Sequence, residues 1–225
     1  MLAKHNTAVR FCSPAPRIKN KKSMKITWYG DSYFEIASVS KDKDNILTVI
    51  DPSKDKIKAD IILNTHADSN GLKINDNEIV ISSCGEYERK GVFVQAISSL
   101  QIDKKQKNII YVIEAEDIRI CHLGYFGESD ITDEQLEDIG NVDILILPLD
   151  GDKTINYSEA VKIVSRIEPA MVIPMCYDSK KKEKGLNPFL KAMGEKEIAS
   201  QDKLSIQKKN ITPGEKVEIV ILEEK

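Results

Sequence analysis

The sequence predicts a single α/β domain with β-sheets in its interior and helices on its outer faces. Short strand-like runs dominate residues 24–123, and strands then alternate with helices towards the end of the chain. In addition, VDILILPL (142–149) and AMVIPMCY (170–177) are almost entirely apolar, as in strands that are buried on both faces. The 225 residues are 41% hydrophobic and 31% charged, so the chain can bury a sizeable core under a well-solvated surface.

Eight runs rich in β-branched and aromatic residues, separated by charged turns, predict the strands of the first half of the chain. In order they are KITWY, YFEIAS, ILTVID, DIILNT, EIVISS, GVFVQAI, NIIYVIEA and DIRICHL. The last two are separated by a charged pair, so we expect them to form a hairpin that turns near Glu116 and Asp117.

Two helices are predicted from their start and stop signals. Thr132 and Gln135 have capping-box spacing, and Gly140 ends the short apolar pattern that follows them. In the second helix Asn156 is the expected cap, and apolar residues recur at helical spacing until Pro169.

The end of the chain predicts a third helix and two strands. Asn187 is the expected cap of this helix, with Pro188 at its first position and Gly194 at its end. KLSIQ (203–207) and VEIVIL (217–222) follow as strands, which completes one domain over residues 24–225.

Residues 1–23 differ in composition from the rest of the chain. They contain six Lys or Arg, no Asp or Glu and the segment SPAP, and without them the net charge falls from −3 to −9. Basic, acid-poor segments of this kind include targeting sequences, but no amphipathic helix or secretory apolar core is evident. A flexible basic tail is the favoured interpretation; the alternatives are a targeting segment and an upstream start, since Met24 begins the first strand.

Charge and cysteine content exclude several classes of function. A net charge of −3 argues against nucleic acid and anionic membranes as partners, and no apolar run approaches the length of a membrane span. The four cysteines are widely spaced and form no C-x-x-C pair, so they indicate neither a disulfide framework nor a zinc knuckle. We therefore expect a cytoplasmic protein.

Seven segments together carry a resemblance that covers nearly everything after residue 23. They are MKITWYGDSYFEI (24–36), VIDP (49–52), KADIILNTHAD (58–68), CGEYERKGV (84–92), IRICHLGYFG (118–127), VDILILPLDG (142–151) and IEPAMVIPMCY (167–177). In order and spacing they resemble the metallo-β-lactamase superfamily, in particular its small hydrolase-like proteins related to ascorbate-6-phosphate lactonase. The resemblance implies a four-layer αββα sandwich with a zinc or manganese site that activates water for hydrolysis.

The first metal-binding motif of that family, Thr-His-x-His-x-Asp-His, is only partly matched. The resemblance places its first histidine on His66 and its other three ligands on Asp68, Asn70 and Gly71. Asp68 is able to ligate a metal, Asn70 only weakly through its carbonyl oxygen, and Gly71 has no side chain. This motif therefore retains one imidazole.

The remaining ligand positions also differ from the family. Tyr125 stands where the resemblance implies the carboxylate that bridges two metals, and Cys176 where it implies the final histidine. Asp31 replaces the histidine of the N-terminal Gly-His-Ser motif. We therefore expect a degenerate site, with no cofactor, in a protein that binds or assembles rather than hydrolyses; its ligand is an unknown small molecule or protein, and homo-oligomers are a further expectation.

An active, rebuilt site is the alternative hypothesis. Cysteine, histidine and aspartate are all zinc ligands, and a single Zn or Mn ion is able to activate water. Such a site would use Asp31, His66, Asp68 and Cys176.

Other residues have structural interpretations. His122 is expected to be a hydrogen-bonded histidine at a strand end, and Glu86 to shape a loop. Cys121 and His122 are neighbours in a predicted strand and so point to opposite faces, which argues against Cys-His catalysis between them.

Overall fold

The strand-rich pattern folds into two mixed β-sheets that share one cluster of buried apolar residues. The computed structural model describes residues 23–53, 58–66, 78–102, 106–178, 184–212, 214 and 216–225. The predicted N-terminal extension, 1–23, lies outside the described residues except for Ser23. Two mixed sheets with a few helices match the αββα sandwich that the resemblance implies.

The first sheet has six strands. Along the chain they are β1 (Met24–Trp28), β2 (Phe34–Val39), β3 (Asn45–Ile50), β4 (Ile61–Leu63), β5 (Ile79–Ile81) and, near the C-terminus, β12 (Leu204–Ile206). Their spatial order is β12-β1-β2-β3-β4-β5, and the β3–β4 and β4–β5 pairs are parallel.

The second sheet has seven strands. They are β6 (Gly85–Arg89), β7 (Val92–Leu100), β8 (Lys107–Ala115), β9 (Ile118–His122), β10 (Ile144–Pro148), β11 (Met171–Met175) and β13 (Glu218–Ile219). The order is β13-β11-β10-β9-β8-β7-β6, antiparallel from β6 to β9 and parallel from β9 to β13. All five residues of β10 and of β11 are buried, as their apolar sequences predict.

The helices begin largely where their caps predict. Capping boxes at Thr132 and Asn156 start α1 (Asp133–Ile139) and α2 (Tyr157–Ile167), both confirmed. The prediction for α3 (Leu186–Ala192) was wrong at its start, because Gly185 and not Asn187 is the cap and makes no side-chain cap bond. Proline is tolerated in the first turn of a helix, so Pro188 did not mark the first helical position.

Two details of the second sheet test the strand predictions. The hairpin between β8 and β9 is confirmed, with Glu116 and Asp117 both at positive φ in its turn. The interpretation of Glu86 as a loop residue was wrong, since it lies within the edge strand β6. Its exposed, charged sequence lacks the apolar run by which the other strands were recognised, because an edge strand need not be buried.

Tyr111 joins the two sheets through its hydroxyl group. The side chain projects from β8, is fully buried, and its hydroxyl oxygen lies 2.9 Å from the carbonyl of Asn64 and 2.7 Å from that of Ile81. Asn64 directly follows β4, and Ile81 is the last residue of β5. One phenol therefore bridges the ends of two strands in the opposite sheet.

We expect Tyr111→Phe to lower the free energy of unfolding by about 1–2 kcal/mol, because a buried donor is removed while the ring volume is kept. Urea denaturation of the variant beside the wild type measures this. Ile113→Val in the same strand is the control for a small loss of buried volume, at about 1 kcal/mol. An unchanged midpoint in Tyr111→Phe would contradict the bridging role.

Few large hydrophobic side chains are exposed in the described part of the chain. No described helix is long and apolar enough to cross a bilayer. Ile102 and Tyr157 are the only large hydrophobic side chains there that are exposed. Self-association therefore stays a prediction.

Candidate functional site

One edge of the two sheets gathers the loops that contain the described candidate residues. In the first sheet, the parallel strands β3 and β4 end side by side at Asp51 and Thr65. In the second sheet, the parallel strands β9 and β11 run into the loops that carry Tyr125 and Cys176. Carboxyl ends of parallel strands meet at one edge, which is the usual place for a site in such sheets.

The loop after β1 is fastened to the opposite sheet through Asp31. This residue has a φ of 42°, and its carbonyl accepts hydrogen bonds from the Trp28 indole at 2.9 Å and the Cys176 backbone N–H at 3.3 Å. Its side chain is exposed and lines a cleft. The backbone of Asp31 therefore has a structural role, while its carboxylate is accessible to a ligand.

His66 is oriented by a hydrogen-bond network with Thr65 and Asp51. The Thr65 N–H donates to Asp51 Oδ1 at 2.7 Å, and the Thr65 hydroxyl donates to Asp51 Oδ2. The same hydroxyl oxygen lies 2.9 Å from His66 Nδ1. With Asp51 ionised and the imidazole neutral, the hydroxyl gives its one proton to Asp51 and its oxygen accepts from His66 Nδ1–H, which leaves Nε2 as the acceptor nitrogen.

The carboxyl group of this network is buried. Burial raises the pKa of Asp51, an effect opposed by the nearby His66 and by hydrogen bonds from Thr65 and Ser32. The distance from His66 Nδ1 to Asp51 Oδ2 is 3.6 Å, so Thr65 mediates the contact between imidazole and carboxyl.

Tyr125 packs on the histidine ring. The two ring centroids are 4.4 Å apart at an interplanar angle of 55°, and the Tyr125 N–H donates to Asn108 Oδ1 at 2.8 Å. Burial, followed by the charges of Cys176 and Asp31, raises the pKa of the Tyr125 phenol. The position implied for a metal-bridging carboxylate therefore holds a neutral phenol.

Cys176 follows β11 directly and is buried, with a φ of 51°. Burial and the carboxylates of Asp31 and Asp51 raise the pKa of its thiol well above the usual value. It is one of three unpaired cysteines among the described residues, with Cys84 and Cys121. A buried neutral thiol is the usual state of a structural cysteine.

A cleft of about 320 Å³ opens beside His66 and Tyr125. Its lining is rich in carboxylates and tyrosines and comprises Tyr29, Gly30, Asp31, Ser32, Tyr33, Asp51, Pro52, Ser53, His66, Tyr125 and Glu224. We call this the acidic cleft. A second cleft of about 330 Å³ shares His66 and Tyr125 and is lined by Gln101, Asp152 and Lys153 among others.

The structure brings together part of the predicted site. Asp31, His66 and Tyr125 line the acidic cleft, and Cys176 lies next to it through its backbone bond to Asp31. Asp68, Asn70 and Gly71 lie outside the described residues.

Sequence reasoning missed Asp51 and Ser32. Asp51 lies in the segment VIDP at the end of a predicted strand, where a polar residue after an apolar run was an available signal. Ser32 follows the candidate Asp31 directly, with no further signal of its own.

The described residues do not fit a zinc or manganese ion. Within the ranges given above, no group of three His, Cys, Asp or Glu side chains is arranged to hold a metal. Such an ion needs three or four ligands that converge on one point. His66 offers a suitable Nε2, but the aromatic ring of Tyr125 lies against the imidazole.

His122 is confirmed as a hydrogen-bonded histidine at a strand end. It is completely buried, its Nδ1 accepts from the Gly124 N–H at 3.1 Å, and its Nε2 lies 3.2 Å from the Ser32 carbonyl. The neutral Nε2–H form satisfies both contacts. Burial lowers the pKa of His122 to about 3.

Comparisons with known proteins agree on one family. The model of the beta-lactamase superfamily domain matches residues 25–176. A UPF0173 protein of Pyrococcus abyssi (strain GE5 / Orsay) is 29% identical over 187 residues, which cover 68% of this chain and 83% of that protein. A UPF0173 metal-dependent hydrolase of Archaeoglobus fulgidus is 26% identical over 203 residues, or 69% and 84% of the two chains.

Solved structures support the same fold. A Thermotoga maritima protein assigned to the Zn-dependent hydrolases of the metallo-beta-lactamase superfamily aligns with a TM-score of 0.73 and 28% identity, over 90% of this chain and all of that one. A metallo-beta-lactamase fold protein of Bacillus subtilis, at 10% identity and a TM-score of 0.59, covers 90% and 97% of the two chains and supports the fold alone.

Proposed function

The chain belongs to the metallo-β-lactamase superfamily, and within it we propose a hydrolase-like protein that has lost the dinuclear metal site and acts as a binding module. Its relatives include proteins named metal-dependent hydrolases. Because one fold commonly has several functions, the side chains at the ligand positions, and not the fold, decide whether this chain hydrolyses a substrate.

The ring contact between Tyr125 and His66 is the main observation that supports this proposal. A hydrolase of this type uses its metals to lower the pKa of a bound water, which requires ligands with available lone pairs around an open position. Here an aromatic ring lies 4.4 Å from the imidazole at the position implied for a carboxylate. A neutral phenol neither bridges two cations nor replaces the charge of a carboxylate.

A mononuclear hydrolase is the second candidate, and one observation favours it. The Thr65 network leaves His66 Nε2 unprotonated, as a ligand must be. The site would combine His66 with Asp31, Asp68 and Cys176. Against it, the Cys176 thiol is buried beside two carboxyl groups that disfavour its thiolate, the form that binds zinc.

Restoring the family's ligands tests the proposal. We expect no rise in the thermal midpoint of the wild type with added zinc, because a ligand stabilises a protein only by binding its native state. The comparison variant combines Asp68→His, Asn70→Asp, Gly71→His, Tyr125→Asp and Cys176→His. Zinc at about 100 times its Kd should stabilise that variant by roughly 2.7 kcal/mol.

The outcomes of this zinc titration are distinct. A zinc-dependent rise in the wild type that Cys176→Ala abolishes would overturn the proposal in favour of the mononuclear hydrolase. A zinc-dependent rise in the thermal midpoint of the restored variant alone would support the proposed loss of the metal ligands. It would also indicate that the fold is still able to hold a metal once those ligands are replaced.

A further inference from the structure

We propose that the acidic cleft binds a small organic cation, an alkylammonium or guanidinium group, at the edge where relatives would hold metal. This inference rests on the proposed function, since a resident metal would occupy the same groups. Its basis is the distribution of hydrogen-bond acceptors and aromatic faces around the cleft.

Hydrogen-bond acceptors are placed on several sides of the cleft. The carboxylate of Asp31 comes from the loop after β1 and that of Glu224 from the C-terminal segment, where its Oε1 lies against Gly30. His66 contributes Nε2 as an acceptor in the neutral tautomer whose Nδ1–H donates to Thr65. Among the described lining residues there is no lysine or arginine.

This arrangement suits an organic cation better than an anion or a metal ion. The carboxylates would repel an anion, and no described lysine or arginine lines the acidic cleft to neutralise its charge. A metal ion requires three or four donors that converge on one point, and no three described His, Cys, Asp or Glu side chains are arranged in that way. An ammonium or guanidinium group carries several N–H donors, which separated acceptors can satisfy.

A pair of tyrosines supplies the aromatic component. Tyr29 and Tyr33 stack with ring centroids 4.7 Å apart and an interplanar angle of 22°. Both hydroxyl groups donate to Glu35, at 2.9 and 3.3 Å. Their hydroxyl protons are thus already used, and the rings offer the cleft an aromatic surface that attracts cations.

The cleft volume limits the size of the ligand. About 320 Å³ accommodates a short alkyl chain with a charged head, and Pro52 and the tyrosine rings provide apolar contact for the chain. The proposed occupant is therefore a short alkylammonium or alkylguanidinium, or a lysine or arginine side chain of similar length.

A titration with n-butylammonium chloride, followed by ¹H–¹⁵N NMR shifts of the full chain, tests the inference. We expect saturable shifts for Asp31, Ser32 and His66, with a Kd on the order of millimolar, as for a small, weakly buried ligand. Neutral n-butanol and anionic butyrate, of matched size, should cause no saturable shifts at these residues.

Two variants locate the binding energy. Asp31→Asn keeps the side-chain shape and tolerates the positive φ, and should weaken n-butylammonium binding by about threefold to tenfold. Tyr29→Leu should weaken it by about twofold to fivefold. The matched control is Asp152→Asn, which removes one carboxylate from the neighbouring cleft and should leave the affinity unchanged.

Equal binding of n-butanol, or the absence of saturable shifts with n-butylammonium, would overturn the inference. An equal loss of affinity in Asp152→Asn and Asp31→Asn would overturn it as well, since it would indicate attraction to overall charge. If n-butylammonium does not bind and zinc does not stabilise the wild type, this inference is wrong and the proposed function is unaffected. Zinc-dependent stabilisation of the wild type overturns the proposed function independently of this titration.

Discussion

Gly127→Ala is expected to prevent folding, or to lower the free energy of unfolding by more than about 3 kcal/mol. A Cβ at this position would overlap the backbone nitrogen of Ile102 and the carbonyl carbon of Gln101. Both are main-chain atoms, so no side chain can rotate away to relieve the contact. The Gly127 N–H also donates to the Leu100 carbonyl at 2.9 Å, which holds the two segments together.

Tyr125→Phe is the matched control, two residues away in the same loop. Tyr125 is half-buried, and its phenyl ring would keep the contact with His66, so we expect a change within about 1 kcal/mol. Circular dichroism during urea denaturation compares the two variants. A Gly127→Ala protein with the wild-type midpoint would show that the loop does not pack as described.

The glycines on either side of Tyr125 are constrained by packing and backbone conformation. Gly124 has a φ of 63°, and a Cβ there would lie 2.5 Å from Asn108 Oδ1. Gly124 and Gly127 are thus required for packing and backbone conformation whatever the site does. Tyr125 lies between them and lines the acidic cleft.

The second large expected effect is a loss of stability in acid caused by His122. The pKa of this group is about 3 in the folded protein against an ordinary value of 6.5, because the buried ring is charged only at a high cost. Below pH 6.5 the unfolded state therefore binds a proton that the folded state does not. Stability falls as the pH decreases from about 6.5 towards 3, by roughly 2 kcal/mol at pH 5 and about 4 kcal/mol at pH 3.

His122→Asn isolates this contribution. An asparagine oxygen can replace Nδ1 as acceptor for the Gly124 N–H, but the amide takes no proton. We expect a lower stability at neutral pH and a smaller loss between pH 7 and pH 5 than in the wild type. Asp51, whose pKa is raised by burial, contributes with the opposite sign, and it does so in both proteins. Equal losses in urea titrations at the two pH values would contradict the role of His122.

Most of the fold was predictable because its elements depend on local signals. Apolar runs identified β10 and β11, and capping boxes identified the starts of α1 and α2. The errors occurred where local signals were weak or ambiguous. The edge strand β6 lacks an apolar face, and Asn187 and Pro188 resemble a helix start although they lie inside the first turn of α3.

The candidate site was less predictable, because it depends on contacts between distant segments. The ligand positions could be located only through the family resemblance. The link from Asp51 through Thr65 to His66 requires the parallel register of β3 and β4, which pairs Ile50 with Leu63. Likewise, the contact of Tyr125 with His66 joins two sheets and has no local signature.

The metal content of the wild-type protein shows whether the chain still holds a metal ion. The full chain would be produced in medium containing zinc and manganese, purified without chelator, and measured by mass spectrometry of the elements. We expect zinc and manganese far below one ion per chain, with the same value in Cys176→Ala. A stoichiometric metal ion in the wild type that is lost in Cys176→Ala would contradict it.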